Sequence, residues 1–214
     1  MEHNPYSAPR VELLEPLPVV ALERWSARHL SLLAWLTLVS LLGTLVVLGF
    51  GLVAQRLELG AYQPAIDGLS LALTALGCYL LLRLKAFAEA RFAAKHLAWP
   101  VGCAVVGYGA LGIFEHGVDE VAMASLNWQA FVYLGLMLLA GGLTLWLGIR
   151  LLMVEQAYPV FRLMAWLDIA SGICLLSVVL MMVAVLPLLG GNVAMMLVFF
   201  KGAAEQRGLQ KNPG

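Results

Sequence analysis

Residues 130–152, AFVYLGLMLLAGGLTLWLGIRLL, and residues 163–186, LMAWLDIASGICLLSVVLMMVAVL, are joined by the polar decapeptide MVEQAYPVFR at 153–162. The two runs are 23 and 24 residues long and hold between them a single base, Arg150, and a single acid, Asp168. A helix rising 1.5 Å per residue needs roughly 20 apolar residues to cross about 30 Å of hydrocarbon, so each run is long enough to span a bilayer. A link of ten residues carrying Glu155, Gln156 and Pro159 turns the pair into a helical hairpin.

Composition places the whole chain in the same class. Of its 214 residues 62% are hydrophobic and 12% charged, with mean hydropathy +0.88, whereas soluble domains carry roughly 25% charged residues. Thirteen basic and thirteen acidic residues cancel, so no global basic field favours a nucleic-acid partner. Cys78, Cys103 and Cys174 all fall inside apolar runs, where a thiol acts as a small hydrophobe, and they are expected to stay reduced and structural.

Working outward toward the N-terminus, residues 1–22 carry several prolines, no helical or strand period and no apolar core of a signal peptide, which predicts a disordered cytoplasmic arm. Spans are predicted at about 30–53, 66–84 and 97–114, ahead of the hairpin spans at 130–152 and 163–186. The third is the weakest by hydropathy, with 18 residues, Pro100 and four glycines. The Asn4-Pro5-Tyr6-Ser7-Ala8-Pro9 start resembles that of uncharacterised multi-pass proteins of bacterial inner membranes. The resemblance covers six residues and implies a bacterial inner-membrane location without an activity.

Charge placement supports the third span, because cytoplasmic loops carry the excess of Lys and Arg. Five spans with a cytoplasmic N-terminus put nine basic residues inside and leave only Arg56 in the two outer loops. At the C-terminal side two rules conflict. Charge favours a sixth crossing that would bring Lys201, Arg207 and Lys211 inside as well. Length opposes it, since the 38 residues from Leu163 to Phe200 fall short of two crossings, and the turn signal Pro187–Asn192 leaves only eight apolar residues before Lys201. Length is given precedence here: a short helix starting at Asn192 is expected to lie in the outer leaflet, with a disordered tail at 208–214.

Few residues invite chemistry. Asp168 does, as an ionisable group inside a span, and pairing with Arg150 at the inner end of the fourth span is its expected fate. Asp67 is a lesser candidate, since a carboxylate in the first turn of a helix is favoured by the dipole alone. The segment Glu115-His116-Gly117-Val118-Asp119-Glu120 reads as a solvated acidic loop rather than a metal site. His29 and His96 could share a haem only at the inner surface, and Gly68-Leu69-Ser70-Leu71-Ala72 falls short of a nucleophile elbow. Ala140, Thr144 and Gly148 on the fourth span, and Ala98 and Gly102 on the third, recur every four residues and predict close helix packing.

These residues predict an all-α integral membrane protein: one domain at 23–207, built as a bundle of five transmembrane helices plus a short C-terminal interfacial helix. No catalytic, cofactor or metal residues are assigned. The function expected is that of a non-enzymatic accessory protein docking a membrane-protein partner or forming a homo-oligomer. The alternative is a small transporter or lipid-handling protein with an inner-side cavity near Asp168. Scarcity decides between them, because Thr74, Ser171 and Ser177 are the chief polar residues available to meet Asp168.

Overall fold

The computed structural model describes residues 25–57, 62–117, 127–155, 157–177 and 179–211. Every long element among the described residues is helical: α1 Ala27–Leu57, α2 Gln63–Phe92, α3 Ala98–His116, α4 Trp128–Leu152, α5 Pro159–Leu176 and α6 Val185–Lys211. The arm at 1–22, residues 118–126 of the acidic loop and the last three residues lie outside the described residues.

Local chemistry fixes the helix ends. Pro64 and Pro159 sit in the first turns of α2 and α5, where a missing N–H costs nothing. Asn127 caps α4 by accepting the Ala130 N–H at 3.1 Å. The α2–α3 link turns through left-handed Ala93 (φ 48) and His96 (φ 64).

All six helices are long and apolar enough to cross a membrane, and α3 has the lowest hydropathy, as its sequence indicates. The expectation of five spans and a short interfacial helix is corrected at the C-terminal side. The predicted fifth span at 163–186 ends early, because α5 occupies Pro159–Leu176 and a series of tight turns follows between Ser177 and Ala184. That link contains Val179, Leu180, Met181, Met182 and Val183, so a hydropathy profile reads straight through it. Pro187, Gly190, Gly191 and Asn192 do not form a turn; they lie within α6, with Pro187 in its first turn, where proline starts a helix rather than breaks it. α6 is 27 residues long, about 40 Å at the helical rise, and continues through Lys201 to Lys211.

The helices run alternately up and down, and each packs against its neighbours in the chain, while α6 returns to α1. The result is a closed ring of six. The described basic residues other than Arg56 lie in the half where α1 begins and α6 finishes, the termini end; Arg56 closes α1 at the far end. α4 and α5 are in backbone contact. A Cβ at Gly172 would stand 2.6 Å from the Leu145 nitrogen, and one at Gly148 would stand 2.9 Å from the Ala165 carbonyl oxygen. The stripe read on the fourth span is therefore a packing seam, since Ala140, Thr144 and Gly148 are buried in it. The stripe read on the third span is not: Ala98 is exposed and a Cβ on Gly102 would meet nothing within 4 Å.

At the termini end the ring is filled. Phe87, Phe161 and Phe199 are wholly buried, with Phe87 edge-on to Trp25 and Phe199, and Phe92 edge-on to Tyr158 and Phe161. Glu205 of α6 ties this floor together. It pairs with Arg91 of α2 at 3.2 Å and accepts the Tyr158 hydroxyl from the α4–α5 link, while Lys201 lies 4.6 Å from the centre of the Tyr158 ring. Burial, reinforced by the bond to Glu205, pushes the Tyr158 phenol up from its ordinary value.

Candidate functional site: a cavity at mid-depth

Above this floor the ring encloses a cavity of about 400 Å³, lined by α2, α3, α4, α5 and α6. Its lining stops at Leu84, Leu147 and Met164 toward the termini end and reaches Glu115 and Leu175, in the last turns of α3 and α5, at the far end. The void is thus a cup whose rim lies at the far end and whose base rests on the aromatic floor.

Asp168 faces this cup. It stands nine residues after Pro159 and eight before Leu176, the middle of α5, roughly 13 Å from either helix end. Across from it, Gly191 of α6 leaves the necessary room, because a Cβ there would come within 3.2 Å of the Asp168 carboxylate. Asn192, the next residue of α6, also lines the cavity.

Tyr108 of α3 and Thr144 of α4 add a hydroxyl chain. The Thr144 hydroxyl donates to the Ala140 carbonyl at 2.7 Å, which uses its single hydrogen. Tyr108, whose oxygen lies 2.5 Å from that of Thr144, must therefore be the donor in their bond. Thr74 likewise donates to the Ser70 carbonyl at 3.0 Å, and the Cys78 thiol to the Val105 carbonyl at 3.7 Å. What these groups retain toward the cup is acceptor capacity.

The expected Asp168–Arg150 pair does not form. The described ion pairs are Lys85–Glu89 and Arg91–Glu205. Arg150 stands two residues from the end of α4, whereas Asp168 is nine residues into its antiparallel neighbour α5. The offset of seven residues is roughly 10 Å along the axis, which a guanidinium does not close. Because α5 begins at Pro159 instead of Leu163, Asp168 lies deeper than its distance from Arg162 suggests. Arg150 instead lines a separate recess with His96, Trp99, Pro100 and Trp146. Asp67 is also apart: it accepts from Gln63 at 3.1 Å at the start of α2. Among the described residues no group of three or more His, Cys, Asp or Glu stands together to hold a metal.

Of the polar residues set against Asp168 in the sequence, Thr74 lines the cup, but Ser171 is buried and donates to the Asp168 backbone carbonyl at 2.9 Å, and Ser177 ends α5. Tyr108, Thr144, Asn192 and Glu115 take their place. Tyr108 carried a readable signal, since tyrosine is enriched at membrane interfaces and this one lies mid-span. In the sequence Asn192 reads only as a helix cap, because Pro187 reads as a turn. No family model, no curated protein and no solved structure matches this chain. The cup must be read from its own chemistry.

Proposed function

We propose that this protein is a small-solute carrier of a bacterial inner membrane, with both ends of the chain cytoplasmic and the cup facing outward. The observation that carries this reading is Asp168: a carboxylate at mid-depth, turned into a solute-sized void, with no ion-pair partner among the described residues. An ionisable group at the centre of a span costs about 2.5–3.5 kcal/mol on insertion scales, and such groups mark substrate or ion paths. A protein that only docks partners has no use for that cost. The accessory reading leans on the scarcity of polar groups facing Asp168, and Tyr108, Thr144 and Asn192 around the same cavity favour the carrier reading over it.

Orientation rests on charge. With six alternating helices, ten of the eleven described Lys and Arg fall on the termini side and Arg56 alone on the far side, the asymmetry that marks a cytoplasmic face. The Asn4–Pro9 start agrees with a bacterial inner membrane.

Cys78 supplies the test, because it lines the cup. In a Cys103→Ser, Cys174→Ser background, a membrane-impermeant maleimide should alkylate Cys78 in right-side-out vesicles and leave it unmodified in inside-out ones. Absence of labelling from both sides would mean that water does not reach the cup, and the carrier reading would fall.

A further inference from the structure

We infer that the cup selects a lipophilic organic monocation and that Asp168 is its counter-ion, an inference that rests on the carrier reading and names its substrate class. The charges of the lining are one-sided. Asp168 at mid-depth and Glu115 at the rim are acidic, and among the described residues no Lys, Arg or His lines the cavity. Arg91 pairs with Glu205, Lys85 with Glu89, and Arg150 lines its own recess, so none of these three is turned to the cup. An anion entering the cup would therefore meet only like charge at low dielectric, and a cation only unlike charge.

Size and wall chemistry narrow the class. A bare metal ion needs several oxygen ligands converging within about 2.6 Å, whereas a 400 Å³ space with one mid-depth carboxylate presents no such shell. The remaining wall is largely leucine and methionine. Met137, Met164 and Met195 come from three different helices, and their unbranched thioethers adapt to varied apolar shapes. The acceptor oxygens of Tyr108 and Thr74 suit N–H donors on the ligand, because their own hydrogens already point at Thr144 and the Ser70 carbonyl. The complement of this site is one positive centre carried on an apolar body, and Glu115 at the rim draws it in.

Two probes of equal shape and opposite charge test this. The full chain in nanodiscs of zwitterionic lipid is dialysed against tetraphenylphosphonium or tetraphenylborate, and only saturable binding above empty discs is counted. The phosphonium should bind once per chain, and the borate about tenfold more weakly or worse. Asp168→Asn should lower phosphonium affinity by about tenfold or more and leave the borate unchanged, while Glu115→Gln, at an exposed position that does not endanger folding, should cost about twofold to threefold. Equal saturable binding of both ions, retention of the preference in Asp168→Asn, or no saturable phosphonium binding would each overturn the inference. Labelling of Cys78 from the outer side separates the two failures: if it persists in those cases, the carrier reading stands and only the substrate class is wrong.

Discussion

Toward the termini end the six helices converge on side chains that leave no space, with Phe87, Phe161 and Phe199 wholly buried and Glu205 binding Arg91 and Tyr158 across three segments. Toward the far end five of these helices, α2–α6, enclose about 400 Å³ and hold a carboxylate with no ion-pair partner among the described residues. Both halves are apolar, and both are built on antiparallel neighbours in one ring. They differ in the residues turned inward: packed aromatic rings at one level, and at the other mainly leucine and methionine with glycines, threonines and Tyr108. Where a membrane bundle keeps a void is thus decided by side-chain volume along each helix, a quantity that a hydropathy profile does not measure.

The contrast predicts unequal costs for equal insults. Phe161→Ala, in the filled half, should destabilise the protein by about 3–5 kcal/mol, because truncation opens a new cavity in a packed core. Met137→Ala, bordering an existing void, should cost about 1 kcal/mol or less, since little packing is lost. Thermal unfolding in detergent measures both, and equal losses would mean that the cup is collapsed in the working protein.

Glu205→Gln should come next in size. It removes the ion pair to Arg91 and weakens the acceptor for Tyr158, at about 1–3 kcal/mol for a hydrogen-bonded charge, with Glu205 still partly exposed to solvent screening. It should also loosen the floor, so that Cys78 becomes reactive from the termini side. Unaltered one-sided labelling together with unaltered stability would show that the aromatic rings seal the ring alone.

The smallest effect concerns Tyr158. Its phenol is pushed up by burial and by Glu205, so the neutral form is the one favoured on folding. A raised pKa contributes stability that is fully present below the ordinary phenol value of about 10 and is lost as pH climbs through the folded value. The difference in melting temperature between wild type and Tyr158→Phe, worth about 1 kcal/mol, should therefore be constant through neutral pH and narrow above about pH 10. A gap that does not narrow would place the contribution of Tyr158 in its ring.

Much of the fold was written in the sequence at the level of length and polarity. The α4–α5 hairpin, the weak but real α3 and the Gly148 seam follow from run length, charge placement and small-residue spacing. The last helix was obscured because its preceding link is as apolar as a span and because Pro187 and Gly190-Gly191 look like a turn when the helix that contains them is not yet known. Charge placement, set aside there in favour of length, agrees with the six helices. The site was half legible. Asp168 stood out as a charge inside a span, but its neighbours come from four other helices, and only the ring order brings Tyr108, Thr144 and Asn192 to the same depth.

Because α6 closes the ring against α1, two helices made far apart in time must meet before the cup exists. Until then α5 is already in the bilayer, and Asp168 lacks the Gly191–Asn192 wall that later shields it from lipid. Nascent chains must therefore carry a bare carboxylate through the period of synthesis that separates α5 from the end of α6. A chain truncated before Val185 would retain that defect for good, which makes it a natural substrate for membrane proteases and gives the cell a chemical criterion for completeness.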